Sequence, residues 1–207
     1  MSNDVTKARF FKFSDPQPGR LRNSRIVQDP AFKPPEELRR LKQDFDSSPR
    51  PTNLAEVVAQ HVRLAKYNFE TFGYHVPMLH LFNRDWKLVD FMSGEFADQS
   101  ERFVFWRHAA ERAAYLRAYG LVWVCESWIR DMSKATEVPL RDLPIVGERL
   151  HVIGADAEDQ RHVVTWEIHR ESPDAKPTLE HPNESEKTTI YFVDPVVEAM
   201  KKAWHPG

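Results

Sequence analysis

Hydrophobic positions are sparse up to Asn53 and strongly periodic after it. From Leu54 to Phe72 they recur at spacings of three and four, which predicts one amphipathic helix with its apolar stripe turned to a core. Thr52 or Asn53 is suited to cap the helix, and Gly73 to end it. His61 lies on the apolar stripe, where we expect a hydrogen-bonded core histidine rather than a ligand.

A hairpin and a second helix follow. Residues 74–82 and 86–92 are apolar segments on either side of a polar turn, which predicts two antiparallel strands. A wide apolar sector from about residue 98 or 100 to Tyr119 predicts a helix that packs against the sheet and is closed by Gly120.

The segment from Leu121 to Ile129 is bulky and apolar on both faces, which is typical of a central strand. Residues 148–154 and 162–170 form a second predicted hairpin. We expect a polar loop over 171–187, a last strand over 188–193 and a short helix from Asp194 to near Trp204.

These elements predict an α+β fold with the order helix, two strands, helix, four strands, helix. The sheet should be mixed or antiparallel, with about five to six strands packed on two main helices. We therefore divide the chain into a polar, proline-rich, partly basic and extended N-terminal arm, residues 1–53, and one globular domain, residues 54–207.

The arm mixes basic and aromatic side chains. The residues concerned are Phe10, Phe11, Phe13, Arg20, Arg22 and Arg25. Such a mixture suits contact with a protein partner or another copy of the chain, binding of nucleic acid, or a solvated tail. We expect protein contact first and nucleic acid as an alternative. A short helix is predicted over residues 35–45, since the surrounding prolines exclude a long one.

Composition narrows the functional classes. The chain has 29 Lys and Arg against 31 Asp and Glu, a formal charge of −2, so no global positive field gathers nucleic acid. Cys125 is the single cysteine and is expected to be a buried apolar residue in a reducing compartment. No segment is apolar enough for a membrane helix or an export signal, so we expect a cytoplasmic protein without membrane contact.

Two segments carry a resemblance. Trp-Val-Cys-Glu-Ser-Trp at 123–128 and Val-Gly-Glu-Arg-Leu-His-Val-Ile-Gly-Ala-Asp at 146–156 resemble a class of uncharacterised bacterial and phage-genome α+β proteins. That class has a strand with Glu-Ala/Ser-Trp followed by a Glu-x-Leu-x-Val hairpin. The resemblance covers about residues 54–170 and implies the same fold. It has no counterpart for the arm and implies no catalytic residue.

Glu126 is the most unusual polar residue, because it interrupts the apolar central strand. A carboxylate there must be paired, hydrogen-bonded or protonated. An arginine such as Arg107, Arg112 or Arg149 is one expected partner, and a strand end that reaches solvent is another explanation. The functional alternative is a general base or a metal ligand.

Histidines offer the other candidate chemistry. His108, His151 and His169 are the catalytic candidates beside Glu126. No spacing of a zinc site, nucleophile elbow or phosphate loop is present, so we expect neither a metal nor a cofactor.

The leading hypothesis is a non-enzymatic interaction or assembly protein that forms homo-oligomers. An origin in a phage or mobile element would fit this role. The protein would contact partner chains through its arm and a sheet edge. Trp86 and Trp204 are expected to be exposed and to mark a partner surface. The alternatives are a small hydrolase or nuclease centred on Glu126, and a nucleic-acid accessory protein that uses the arm.

Overall fold

The structure is a computed structural model. It describes residues 49–94, 96, 99–136, 139, 142–172, 175–185 and 191–205, together with 36, 39, 40, 43 and 47. Within the predicted arm helix, the described residues Glu36, Arg39, Arg40 and Gln43 are helical. The predicted partner-binding residues Phe10, Phe11, Phe13, Arg20, Arg22 and Arg25 lie outside the described residues.

Three helices and six strands make up the described fold. The helices are α1 (Leu54–Phe72), α2 (Gln99–Tyr115) and α3 (Asp194–Trp204). The strands are β1 (Met78–Phe82), β2 (Leu88–Ser93), β3 (Gly120–Arg130), β4 (Ile145–Asp156), β5 (Arg161–His169) and β6 (Thr178–Ser185). Two short 3₁₀ helices lie at Met132–Lys134 and Tyr191–Val193.

The six strands form one antiparallel sheet in the order β2-β1-β3-β4-β5-β6. The predicted α+β class, the element order and the central place of β3 are confirmed. β3 lies between β1 and β4, and its apolar side chains alternate between the two faces. Val122 and Val124 pack with α1, whereas Leu121 and Trp123 pack with α2 and α3.

The first helix has the ends that its sequence predicts. Asn53 Oδ1 accepts the backbone N–H of Glu56 at 2.9 Å. The Glu56 carboxylate in turn accepts the backbone N–H of Thr52 at 2.7 Å, which completes a reciprocal cap. Gly73 closes α1 in the left-handed conformation, with φ at 78°.

The second helix ends earlier than predicted, at Tyr115. Arg117 adopts the left-handed conformation with φ at 49°, and the N–H of Ala118 returns to the carbonyl of Ala113 at 2.8 Å. This closing pattern normally uses glycine, so the sequence pointed to Gly120 instead. The Arg117 guanidinium lies 5.4 Å from the centre of the Trp204 ring, a contact that glycine could not make.

The last strand lies elsewhere than predicted. β6 occupies Thr178–Ser185, inside the expected loop, and of the expected strand over 188–193 the described part, Tyr191–Val193, is a 3₁₀ helix. Among the described strands, β6 pairs with β5 alone and forms an edge of the sheet. Its side chains face mostly solvent, so it lacks the apolar alternation by which strands are recognised in sequence.

The expectation of an exposed Trp86 is wrong, because this ring is buried. It fills the space beside Gly120, where an added Cβ would lie only 2.4 Å from a carbon of the indole. Trp204 is half-buried and donates its Nε1–H to the carbonyl of Ala118 at 2.9 Å. The exposed tryptophan is Trp128 in β3, with 64% of its surface accessible.

Candidate functional site

A broad open groove of 2730 Å³ crosses the face of the sheet that carries α2 and α3. Helix α2 forms one wall, and β6 with residues 191–195 borders the other side. The sheet strands contribute three buried apolar residues and three half-buried polar residues to the floor: Trp123, Ile153 and Val163, and Ser127, His151 and Thr165.

Three polar side chains form a hydrogen-bonded row across this floor. Ser127 Oγ in β3 lies 2.7 Å from His151 Nε2 in β4, and His151 Nδ1 lies 3.0 Å from Thr165 Oγ1 in β5. The sheet register creates the row, because His151 is directly opposite Thr165 while Ser127 lies one same-face pair further along the ladder. The imidazole is therefore held at both nitrogens.

Burial determines the protonation state of His151 in this row. Removal from water, with the positive charge of Arg149 acting in the same direction, lowers the pKa of His151 to about 4. The ring is thus neutral near pH 7 and can accept one hydrogen bond and donate another. We assign Ser127 as donor to Nε2 and Thr165 as acceptor from Nδ1–H.

Cys125 lies beside this row but has a different chemistry. It is directly opposite His151 in the ladder, yet His151 bonds to Ser127 instead. Burial raises the pKa of the Cys125 thiol to about 12. A protonated, buried thiol is a poor nucleophile, which agrees with the expected apolar role.

A guanidinium lies next to Ser127. Arg149 pairs directly with Ser127 in the ladder, so both side chains are on the groove face. Its Nη2 lies 3.5 Å from Glu167 Oε1, whereas its buried Nε has no hydrogen-bond partner among the described residues. The site therefore contains a cationic side chain on the same face as the serine.

Glu126 lies on the opposite face of the sheet from His151, since it follows Cys125 in the strand. Its carboxylate accepts the backbone N–H of His75 at the rim of the groove. Burial raises the pKa of Glu126, and the nearby charge of Arg170 opposes the rise.

The arginines expected to neutralise Glu126 have other contacts. Arg112 binds Asp90 at 2.6 Å, Arg149 faces Glu167, and the Arg107 guanidinium lies 4.6 Å from the centre of the Phe103 ring. The sheet register and the helix faces direct these side chains away from Glu126.

Three histidines gather under α1, on the same side as Glu126. The rings of His61 and His80 meet edge to face with centroids 4.7 Å apart, and His61 Nδ1 lies 2.8 Å from the carbonyl of Val57. Burial lowers the pKa of His61 and of His75, and burial together with His61 lowers the pKa of His80 to about 3. All three histidines are half-buried. His61 is hydrogen-bonded, as the sequence predicted, but it is not among the buried core residues.

The other predicted catalytic residues lie apart from His151 and from each other. His108 on α2 contacts Glu111 of the same helix at 3.4 Å, and His169 ends β5 opposite Thr178. The structure therefore brings none of Glu126, His108 and His169 into the row of His151. Among the residues that the structure describes, no group of three or more His, Cys, Asp or Glu side chains could hold a metal ion.

Ser127, Thr165 and Arg149 were missed as site residues by sequence reasoning. No local motif marks them, since they come from three different strands. The available signal was strand alternation: Ser127 shares a face with Cys125, and Thr165 shares one with Glu167. Only the exact register of β3, β4 and β5 shows that they meet at His151.

Within the described residues, each helix is too short or too polar to cross a membrane.

Comparison with protein families matches residues 37–205 to the family described as bacteriophage lambda protein ea47. Among curated proteins, Protein ea47 of Escherichia phage lambda is 32% identical over 200 residues. The alignment covers 96% of this chain and 48% of the relative, so the chain spans about half the length of the curated relative it matches. No solved structure matches the chain.

The family match extends over all three helices and six strands, and over the whole row from Ser127 to Thr165. The similarity indicates a phage origin, which the sequence had suggested. This chain belongs to the bacteriophage lambda protein ea47 family.

Proposed function

We propose that this chain is an interaction and assembly protein that associates with a second copy of itself through the edge strand β2. The observation that carries the proposal is the exposed apolar character of this edge. Leu88 is 51% exposed, Val89 37% and Phe91 38%. An edge strand of this kind offers both unpaired backbone groups and apolar side chains to an added strand.

The single charge within β2 does not protect the edge. The Asp90 carboxylate accepts a hydrogen bond from Arg112 Nε at 2.6 Å, so its charge is already balanced by α2. Just before the strand, Lys87 Nζ lies 4.0 Å from the Asp85 carboxylate. Pairing of β2 with another β2 would therefore bury little uncompensated charge.

The opposite edge of the sheet differs in chemistry. β6 carries Glu180, His181, Pro182 and Glu184, all exposed. Proline and charged side chains are the usual means by which an edge strand is kept from pairing with other chains. The contrast between a guarded edge and an unguarded one favours β2 as the contact surface.

A second copy is the simplest occupant of the β2 edge. Two identical edges related by a two-fold axis can pair antiparallel, and one surface then supplies both halves of the contact. Such pairing would join the two sheets and bury Leu88, Val89 and Phe91 of each chain. The arm residues Phe10, Phe11 and Phe13 with Arg20, Arg22 and Arg25 are proposed to add contacts to the same partner.

The edge is tested by the double substitution Leu88→Lys and Phe91→Lys. We expect light scattering to show a dimer for the unmodified chain, and a dissociation constant about 100-fold larger for the variant, because four lysines would meet across the edge. Thr178→Lys on the guarded edge is the matched control and should leave the dimer intact. A monomeric unmodified chain, or equal loss in both variants, would contradict the proposal.

The arm is tested separately by changing Phe10, Phe11 and Phe13 to Ser in the full chain. We expect a larger dimer dissociation constant with an unchanged circular dichroism spectrum, since these residues precede the globular domain. An unchanged dissociation constant would remove the arm from the proposal while leaving the β2 edge in place.

A further inference from the structure

We propose that Ser127 and His151 form a nucleophile–base pair that accepts acyl groups from carboxylic esters with an apolar acyl chain. The inference goes beyond the proposed assembly role and is independent of the β2 edge. It also departs from the expectation of a protein without enzymatic activity.

Geometry carries the first step of the argument. A serine hydroxyl is a weak nucleophile until an adjacent base can take its proton. The distance of 2.7 Å between Ser127 Oγ and His151 Nε2 places that base within hydrogen-bonding reach. Both side chains lie on the floor of an open groove, where a substrate has access to them.

Thr165 completes the arrangement as a positioning residue. Its Oγ1 lies 3.0 Å from His151 Nδ1 and accepts the hydrogen of that nitrogen. This bond fixes the tautomer whose free lone pair on Nε2 points to Ser127. The partner is a hydroxyl rather than a carboxylate, so it orients the ring but lends little charge to the imidazolium. We therefore expect slow acylation.

The guanidinium of Arg149 provides the third component. A carbonyl carbon under attack develops negative charge on its oxygen, and a preorganised donor stabilises that charge. Arg149 stands opposite Ser127 on the same face, and its side chain lines the groove with 43% of its surface exposed. Its cationic guanidinium can therefore donate to the oxygen of a carbonyl bound at Ser127.

Exposed apolar side chains around the polar row indicate the substrate class. Trp123, Ile153 and Val163 on the floor are buried. Phe103 on α2, Met132 and Tyr191 also line the groove, and they are 60%, 58% and 78% exposed. An acyl chain lying on these side chains would leave water and place its carbonyl at Ser127.

The chemical steps balance without a cofactor. Ser127 Oγ forms a bond to the ester carbonyl carbon as its proton passes to His151 Nε2. The bond from that carbon to the leaving oxygen then breaks, and the leaving oxygen takes the proton from Nε2. Water next attacks the acyl carbon and gives a proton to Nε2, the bond to Oγ breaks, and Oγ recovers the proton.

The test uses the unmodified full chain and an alkyl fluorophosphonate, which phosphonylates activated serines. We expect one adduct, located on Ser127 by peptide mass spectrometry, and none after heat denaturation. p-Nitrophenyl octanoate should give a burst of product followed by slow turnover, with p-nitrophenyl acetate reacting more slowly. Absence of an adduct on Ser127, or an adduct at another serine only, would overturn the proposal.

Substitutions in the row distinguish loss of reactivity from loss of folding. Ser127→Ala should abolish labelling, and His151→Gln should slow it by about 100-fold or more. Ser93→Ala, at the exposed end of β2, should label at the unmodified rate. Thr165→Val should slow labelling and Thr165→Ser should restore it, a rescue that a purely structural role of the threonine methyl would not give. Labelling that persists in Ser127→Ala would sink the assignment.

Discussion

Gly154 in β4 marks the closest approach of helix α1 to the sheet. A Cβ added there would lie 2.3 Å from Val58 Cγ2 and 3.0 Å from Leu54 Cδ1. Both neighbours are buried and belong to the core under α1, so neither can move without disturbing other contacts. The absence of a side chain at this position is a packing requirement.

Gly154→Ala should therefore destabilise the fold by about 1–3 kcal/mol through overpacking. Gly147→Ala in the same strand is the control, because its Cβ would be 3.5 Å from the nearest atom, Ile129 Cδ1. Urea titration followed by circular dichroism measures both. Equal stability of the two variants would show that α1 can shift away from β4 at little cost.

At the residue scale, the sequence identifies only part of the candidate site. His151 was recognised as a candidate from its residue type alone. Its partners Ser127 and Thr165 were not, because each is an ordinary polar residue on a strand and the three approach only through the ladder of β3, β4 and β5. Chemistry assembled across strands depends on register, and no local pattern records register to one residue.

At the scale of elements, α1 shows how local signals fix a boundary. Asn53→Ala removes the acceptor for the N–H of Glu56 and should cost about 1 kcal/mol of unfolding free energy. Asn53→Ser keeps an oxygen at the cap and should lose only a few tenths of a kcal/mol. Thermal denaturation of the two variants gives the comparison. A loss as large for Ser as for Ala would mean that the cap bond is not the cause.

Elements with strong periodicity were predicted well, and those without it were not. α1 and β3 follow directly from apolar spacing, since each buries a continuous surface. For the segment of β6 the sequence predicts a loop, because an edge strand with a solvated surface has no such spacing. The end of α2 was misplaced because Arg117, rather than a glycine, takes the left-handed conformation. In both cases tertiary contacts outweigh local preference.

At the scale of the whole molecule, the sheet separates two groups of histidine with different surroundings. His151 lies on the groove face within a row of hydroxyls. His61, His75 and His80 lie on the α1 face, where the backbone N–H of His75 is hydrogen-bonded to the Glu126 carboxylate. All four histidines lose hydration on folding, and for each of them burial is the first cause of a lowered pKa.

This shared loss of hydration predicts that acid destabilises the fold from about pH 6.5 downward. Below the ordinary histidine pKa of 6.5 the unfolded chain binds protons on these side chains, whereas folded His80, with its pKa lowered to about 3, does so only in strong acid. The unfolded state then holds more protons, so the free energy of unfolding falls as pH falls. Glu126 opposes this trend, because its raised pKa lets the folded state take up a proton before the unfolded chain does.

His80→Gln isolates one of these contributions. Denaturant titrations between about pH 7 and 4 should show a shallower loss of stability in the variant, by at most about 1.4 kcal/mol per pH unit for one proton. His181→Gln is the control, since that side chain is 76% exposed on β6 and should leave the slope unchanged. Identical slopes for the unmodified chain and His80→Gln would mean that the imidazole under α1 is already hydrated in the folded state, and the argument from burial would fail.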